Sequence, residues 1–310
     1  MTFLRRNLRI RLRDLTLLRE LYQSRVMSLR QASQIIFDGA YPSAAKRIQK
    51  LKSASYVAEL PKRIGDQSIL YLTARGRRRL IGGIDPPSRQ FRRHRTLTSL
   101  TLAHDLEVMD AKVAIVIALR RCKDWSVREF TTWPQLSQFR VDQMNGTHAT
   151  VKPDGFLSLS NCAGIVVDFF LEIDRAHETQ AILEAKCHAY RSHYLSGNFA
   201  ARLGHPRSAY RSHPFRVLVV VPSDERRNNL ALRLCALERP IHNQVWLTTR
   251  AALLADPLAA IWICPQDYAH AIANSRYARF GEPIAARQYR TASDRERFVA
   301  EQIRKRRLLE

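Results

Sequence analysis

Two short apolar runs in the middle of the chain carry carboxylates where a buried strand ordinarily has none, and this restricts the fold more than any other feature. The first begins Val151-Lys-Pro-Asp-Gly155, and the second contains Asp168-Phe-Phe-Leu-Glu-Ile-Asp174. Residues 151–159 and 165–173 read as neighbouring strands, with Asn161-Cys-Ala-Gly164 as the turn between them. Pairing these strands gathers Asp154, Glu172 and Asp174 at one end of a sheet. An ionised carboxylate beside apolar strands costs several kcal/mol unless it is compensated, and a divalent cation is a frequent compensator. The pattern therefore points to a metal-dependent phosphodiester site. The competing reading makes the same residues turn and edge acids paired with Lys152 or Arg175.

Charge is distributed unevenly. Of the formal net charge of +23, residues 1–100 contribute +16 (22 Lys and Arg against 6 Asp and Glu) and the other 210 residues contribute +7. Such asymmetry describes a polyanion-binding module joined to a more ordinary domain. The basic residues are interleaved with a helical apolar pattern rather than forming a bare polybasic tail, which favours double-stranded DNA over a membrane surface. No run reaches the roughly 18 apolar residues of a spanning helix. The first ten residues lack the apolar segment of a secretion signal. The five cysteines are scattered and form no Cys-x-x-Cys pair. A cytoplasmic protein follows, without a cysteine-built zinc site.

The first 82 residues read as a winged helix-turn-helix. Leu15, Leu18, Leu21 and Tyr22 recur at helical spacing, and Ser28-Leu-Arg-Gln31 has the form of a capping box that opens a second helix. Ser43 is expected to cap a third, with Ile48 and Leu51 inward and Lys46, Arg47, Gln49 and Lys50 toward solvent. Strand-like runs at 56–60 and 69–72 flank the basic segment that holds Lys62 and Arg63. In such a fold the third helix enters the major groove while the hairpin tip lies on phosphates or in the minor groove, so Ser43, Lys46, Arg47, Gln49, Lys50, Lys62 and Arg63 are the expected DNA contacts. Gly82-Gly-Ile-Asp-Pro-Pro87 marks the boundary, and residues 83–96 form a basic linker whose Arg92 and Arg93 can follow a phosphate backbone.

Residues 97–265 read as an α/β domain with a mixed sheet, giving α+β overall. A long amphipathic helix with His104, Asp105 and Glu107 near its start is followed by three strands, a helix over about 179–195, the apolar strand 215–221, another helix and a strand at 245–248. Residues 266–310 form a basic extension whose end, with Arg304-Lys-Arg-Arg307, reads as a solvated tail. His188, His193, His205 and His213 have no zinc-finger spacing. No glycine-rich phosphate loop or nucleophile elbow is present.

This order, with Pro153-Asp154 and Glu172 on successive strands, resembles the PD-(D/E)xK nuclease fold. The resemblance implies that Asp154 and Glu172 bind magnesium, with Asp174 standing where the motif has lysine. Lys186 on the next helix supplies the displaced ammonium, and Tyr190 lies one turn beyond on the same face. The catalytic set so implied is Asp154, Glu172, Asp174 and Lys186. Taken whole, the chain resembles the replication-relaxation family of plasmids and integrative elements. The resembling stretches are Arg13-Asp-Leu-Thr-Leu-Leu18, Ile69-Leu-Tyr-Leu-Thr-Ala-Arg-Gly76, Leu102-Ala-His-Asp-Leu106, Lys152-Pro-Asp-Gly155, Phe169-Phe-Leu-Glu-Ile-Asp-Arg175, Arg216-Val-Leu-Val-Val-Val-Pro222 and Val245-Trp-Leu-Thr-Thr-Arg250. Membership implies a DNA-binding role in replication initiation or in relaxation and mobilisation of DNA, beside a relaxase or replication initiator. A magnesium-dependent endonuclease and a winged-helix transcription regulator are the alternatives, and oligomerisation is left open.

Overall fold

The elements of the N-terminal third follow from local capping and apolar spacing. The computed structural model describes residues 8–61, 65–82, 98–136, 138–142, 148–176, 178–277 and 303–309, in a mixed α/β chain that divides into two compact units. The first unit runs to residue 137 and includes residues 154–156. Its helix α1 (Leu12–Ser24) buries Leu17, Leu18 and Leu21. Strand β1 (Val26–Ser28) leads directly into α2 (Leu29–Ile36). The expected capping box closes α2: the Ser28 hydroxyl accepts from the Gln31 backbone amide at 3.1 Å, and the Gln31 side-chain Oε1 accepts from the Ser28 backbone amide at 2.8 Å.

Helix α3 (Tyr41–Ser53) begins earlier than a Ser43 cap requires. Pro42 has its φ preset for the first turn and needs no amide partner there, so the helix starts before it and Ser43 becomes a first-turn residue. Strands β2 (Val57–Glu59) and β3 (Ile69–Leu72) complete an antiparallel sheet in the order β1-β3-β2, with Met27 opposite Leu70 and Ala58 opposite Tyr71. Helix α4 (Ala74–Ile81) starts at a Thr73 cap and ends at Gly82 in the left-handed conformation.

Helix α5 (Ser99–Arg120) was expected to open the second domain. Its Met109 and Val113 instead belong to the core formed by Leu17, Leu21, Ile35, Ile48 and Leu51. Polar contacts reinforce that packing. Gln31 donates to the Leu106 carbonyl at 2.9 Å and to Asp110 at 2.7 Å, and the buried Lys112 ammonium lies 2.8 Å from Glu20. Strand β4 (Trp125–Thr132) follows, and the Thr132 hydroxyl donates to the Gln23 carbonyl at 3.0 Å.

The second unit covers residues 138–153 and 157–310. A small antiparallel ladder of β5 (Phe139–Asp142) and β6 (His148–Val151) precedes β7 (Gly155–Asn161) and β8 (Val166–Ile173). The single strand expected over 151–159 is thus two strands. Pro153 has no amide to donate to a ladder and Asp154-Gly155 favours a turn, so pairing stops at Val151 and resumes at Gly155. After β8 come α6 (Gln180–Leu195), α7 (Asn198–Arg202), a 3₁₀ turn (Arg207–Ser212) and β9 (Phe215–Val221). Helix α8 (Asp224–Ala236), β10 (Val245–Thr249), α9 (Arg250–Ala255) and α10 (Pro265–Tyr277) complete the unit.

In the sheet of this unit the strands run β10-β9-β8-β7, with β8, β9 and β10 parallel to one another. Strand β9 lies between its parallel partners β8 and β10 with α6, α8 and α9 packed against it, and the burial of both its faces explains its nearly unbroken apolar sequence. The C-terminal residues 303–309 do not form the solvated tail expected of them. Arg306 pairs through its backbone with Trp262, and its guanidinium is 2.7 Å from Asp267. Among the described residues no helix is long and apolar enough to cross a membrane.

Candidate functional site

On α3 the inward residues are Ala44, Ile48 and Leu51, so the opposite face is fixed by the helical period. Ser43, Lys46, Gln49 and Lys50 are exposed there. Arg47, expected among the DNA contacts, is turned to a different partner. Its Nε donates to Asp14 Oδ1 at 2.8 Å, a second nitrogen of the guanidinium bonds the other carboxylate oxygen, and the Arg9 carbonyl accepts at 2.9 Å. Burial alone would raise the Asp14 carboxyl. The hydrogen bonds from Arg47 and the Arg11 amide, with the nearby positive charge, outweigh that and hold it below the ordinary aspartate value. Arg47 therefore locks α3 to α1. Lys62, Arg63, Arg92 and Arg93 lie outside the described residues.

Asp154 sits at the break before β7, and its Oδ1 is 2.8 Å from Nε2 of His104 on α5. Both side chains are partly exposed, at 17% and 30%. The sequence placed His104 near the start of that helix but assigned it no role. An imidazole beside a carboxylate can hold or pass a proton, and it can also orient the acid.

The second unit brings together three of the residues singled out from sequence. Glu172 on β8 is 2% exposed, and the Tyr190 hydroxyl donates to its Oε1 at 2.6 Å. Lys186 Nζ lies 3.5 Å from the other oxygen, Oε2, and 3.0 Å from Glu178. Lys186 and Tyr190 are one turn apart on α6, so one helix face delivers both a cation and a hydroxyl to one buried carboxylate. Cys187 lies buried beside them, and its thiol is pushed up by burial first and by the Glu172 charge second. An anion so deeply placed needs these partners, because an uncompensated buried carboxylate costs several kcal/mol.

Asp174 has a different setting. Its carboxylate is gripped by the Arg226 guanidinium from the first turn of α8, with one of the contacts at 3.0 Å, and accepts the Ala176 amide at 2.9 Å. Arg226 also donates to the Glu178 carbonyl at 2.6 Å. Asp174 thus ties the end of β8 to α8. No spacing rule in the sequence pairs residues 52 positions apart, so Arg226 carries no signal as the partner of Asp174. Among the described residues no three His, Cys, Asp or Glu side chains are grouped so as to hold a metal ion.

A model of the replication-relaxation family matches residues 18–205, more than half of the chain. The chain belongs to the replication-relaxation family. The match runs from α1 through α7, and so includes α3, His104, Asp154, Glu172, Lys186 and Tyr190. No curated protein and no solved structure shows significant similarity to it. Its family connects this replication-relaxation protein with replication or mobilisation of DNA.

Proposed function

We propose that this family member is a double-stranded DNA-binding protein of a plasmid or other mobile element, acting in replication initiation or in relaxation and mobilisation of the DNA. The observation that carries the reading is the α3 face. Helices α1, α2 and α3 and the sheet β1-β3-β2 follow the order of a winged helix-turn-helix, and the third helix turns Ser43, Lys46, Gln49 and Lys50 to solvent. In that fold the third helix reads the major groove. Lys and Gln at those positions supply a phosphate cation and a base-edge donor and acceptor. The concentration of +16 in residues 1–100 supports the same reading by drawing in a polyanion at long range.

The test is binding of labelled plasmid-origin duplex by Lys46→Ala/Lys50→Ala, with thermal unfolding as a control. Removing two phosphate contacts should weaken binding about tenfold near 0.1 M salt and flatten the slope of log affinity against log salt by about 2. Arg47 is left in place, since its loss would disturb the bond to Asp14 and confuse folding with binding. Unchanged affinity and slope would remove α3 from the interface.

A second reading, a magnesium-dependent endonuclease, is favoured by the grouping of Glu172, Lys186 and Tyr190. Asp154 and Glu172 offer the hard oxygen donors that magnesium prefers. When bound, the metal supplies charge stabilisation at phosphate and an acidified water. In this reading Lys186 holds positive charge beside Glu172, Tyr190 orients the carboxylate, and His104 keeps Asp154 in place or exchanges a proton with it.

A further inference from the structure

From residue 185 to residue 223 the chain contains no acid at all, yet it carries Lys186, Arg191, Arg202, Arg207, Arg211 and Arg216 together with four histidines. The central part of this stretch is built rather than loosely looped. Gly197, between α6 and α7, has φ +70°, and a Cβ there would lie 2.2 Å from the Arg207 carbonyl oxygen. Only glycine lets the backbone of the 3₁₀ turn come so close. Phe199 and Ala200 of α7 are buried, the His205 amide donates to the Ala200 carbonyl at 2.9 Å, and the Tyr210 ring meets Tyr194 edge-on at 5.2 Å. Upon this base Arg202, Arg207, Arg211 and His205 are all exposed. His205 stacks on His213 with ring centroids 3.9 Å apart and planes inclined by 16°.

We infer that α7 and the following 3₁₀ turn form a second nucleic-acid surface, which holds a single-stranded segment. This goes beyond the α3 assignment, because it involves the second unit alone. Three arginines without an acid in the segment supply the phosphate-binding charge. Beside them the exposed His205 ring, stacked on the half-buried His213, supplies a flat face on which an unpaired base can lie, and a base in an intact duplex has no such face to offer. Interleaved cations and rings are the means by which single strands are held without sequence reading. A protein engaged in replication or relaxation works where the duplex is opened, so a place for the exposed strand is useful beside a duplex-binding helix.

The experiment compares the full chain with Arg202→Ser/Arg207→Ser/Arg211→Ser on labelled oligo-dT of about 16 nucleotides and on a duplex of the same length, with thermal unfolding to verify the fold. The expected result is about a tenfold loss on oligo-dT, a log-log salt slope shallower by about 2, and duplex binding altered by less than about twofold. His205→Ala should weaken oligo-dT binding with little change in the salt slope, because a stacking contact releases no counterions. Retention of oligo-dT binding by Lys46→Ala/Lys50→Ala, with duplex binding weakened about tenfold, supports two separate surfaces. Unchanged oligo-dT affinity in the triple arginine variant overturns the inference. So does an equal loss on duplex and single strand.

Discussion

His193 shows at the scale of one residue how a helix pattern conceals a cost. It is 3% exposed, neither ring nitrogen has a hydrogen-bond partner among the described residues, and its ring stacks on Phe139 at 4.0 Å. Phe170, Phe199 and Phe215 surround it. Burial, then the charge of Arg202, lowers its pKa to about 4. With the folded value depressed, the unfolded chain takes up the proton first as pH falls below the unfolded value of about 6.5. The stability that depends on a neutral His193 is therefore complete above about pH 6.5 and is lost progressively as pH falls toward 4. At pH 5 this group alone should make the protein about 2 kcal/mol less stable than at pH 7.5. His193→Phe, which fits the aromatic surroundings, should remove that part of the difference in urea unfolding. Equal pH dependence in both proteins would show that the imidazole is not the sensor. Sequence spacing put His193 on α6 and spoke against a zinc site, but could not show the aromatic pocket that receives its ring. The same limit applies to Arg47 and Asp174, whose partners lie 33 and 52 residues away.

At the scale of elements, much was legible, because helices and strands are written in local chemistry. The Ser28–Gln31 capping box, the inward set of α3 and the apolar β9 all appear where period and capping rules put them. The misread ends have local causes too. Pro42 admits an earlier start for α3, and Pro153 interrupts what looked like one strand. The docking of α4 was not legible, since it depends on a close approach. A Cβ on Gly76 would stand 2.3 Å from the Tyr56 carbonyl oxygen and 2.5 Å from a Leu72 methyl. Leucine can shift, but the carbonyl belongs to the backbone leading into β2. Gly76→Ala, ordinarily favourable inside a helix, should here destabilise the chain by about 1–3 kcal/mol. Chemical denaturation of the variant checks this, and a gain in stability would mean that α4 sits further from the sheet than described.

For the whole molecule, the division of the chain is where sequence reasoning was least able to see. Gly82 to Pro87 reads as a boundary, yet α5 beyond it contributes Met109 and Val113 to the N-terminal core. Amphipathicity shows that a helix has an inner face, but not which core receives it. The acidic residues divide likewise: Asp154 belongs to the first unit with His104, and Glu172 to the second with Lys186 and Tyr190. The endonuclease reading requires both groups in one reaction, whereas an accessory DNA-binding protein can keep each as a separate structural pair. Supercoiled plasmid incubated with the protein and magnesium or manganese distinguishes them. If the chain cuts DNA, Asp154→Asn should abolish nicking and leave duplex binding intact, since the α3 face is untouched. Lys186→Ala should slow nicking about 10²–10³-fold, the range for loss of a group that stabilises developing charge. Tyr190→Phe serves as the structural control. It leaves Glu172 charged but removes one hydrogen bond, so it should cost about 1–3 kcal/mol of stability whether or not the protein is a nuclease. A protein that leaves the plasmid supercoiled with either metal, yet accelerates nicking by a separate relaxase, is an accessory factor whose buried Glu172 holds β8 and α6 together.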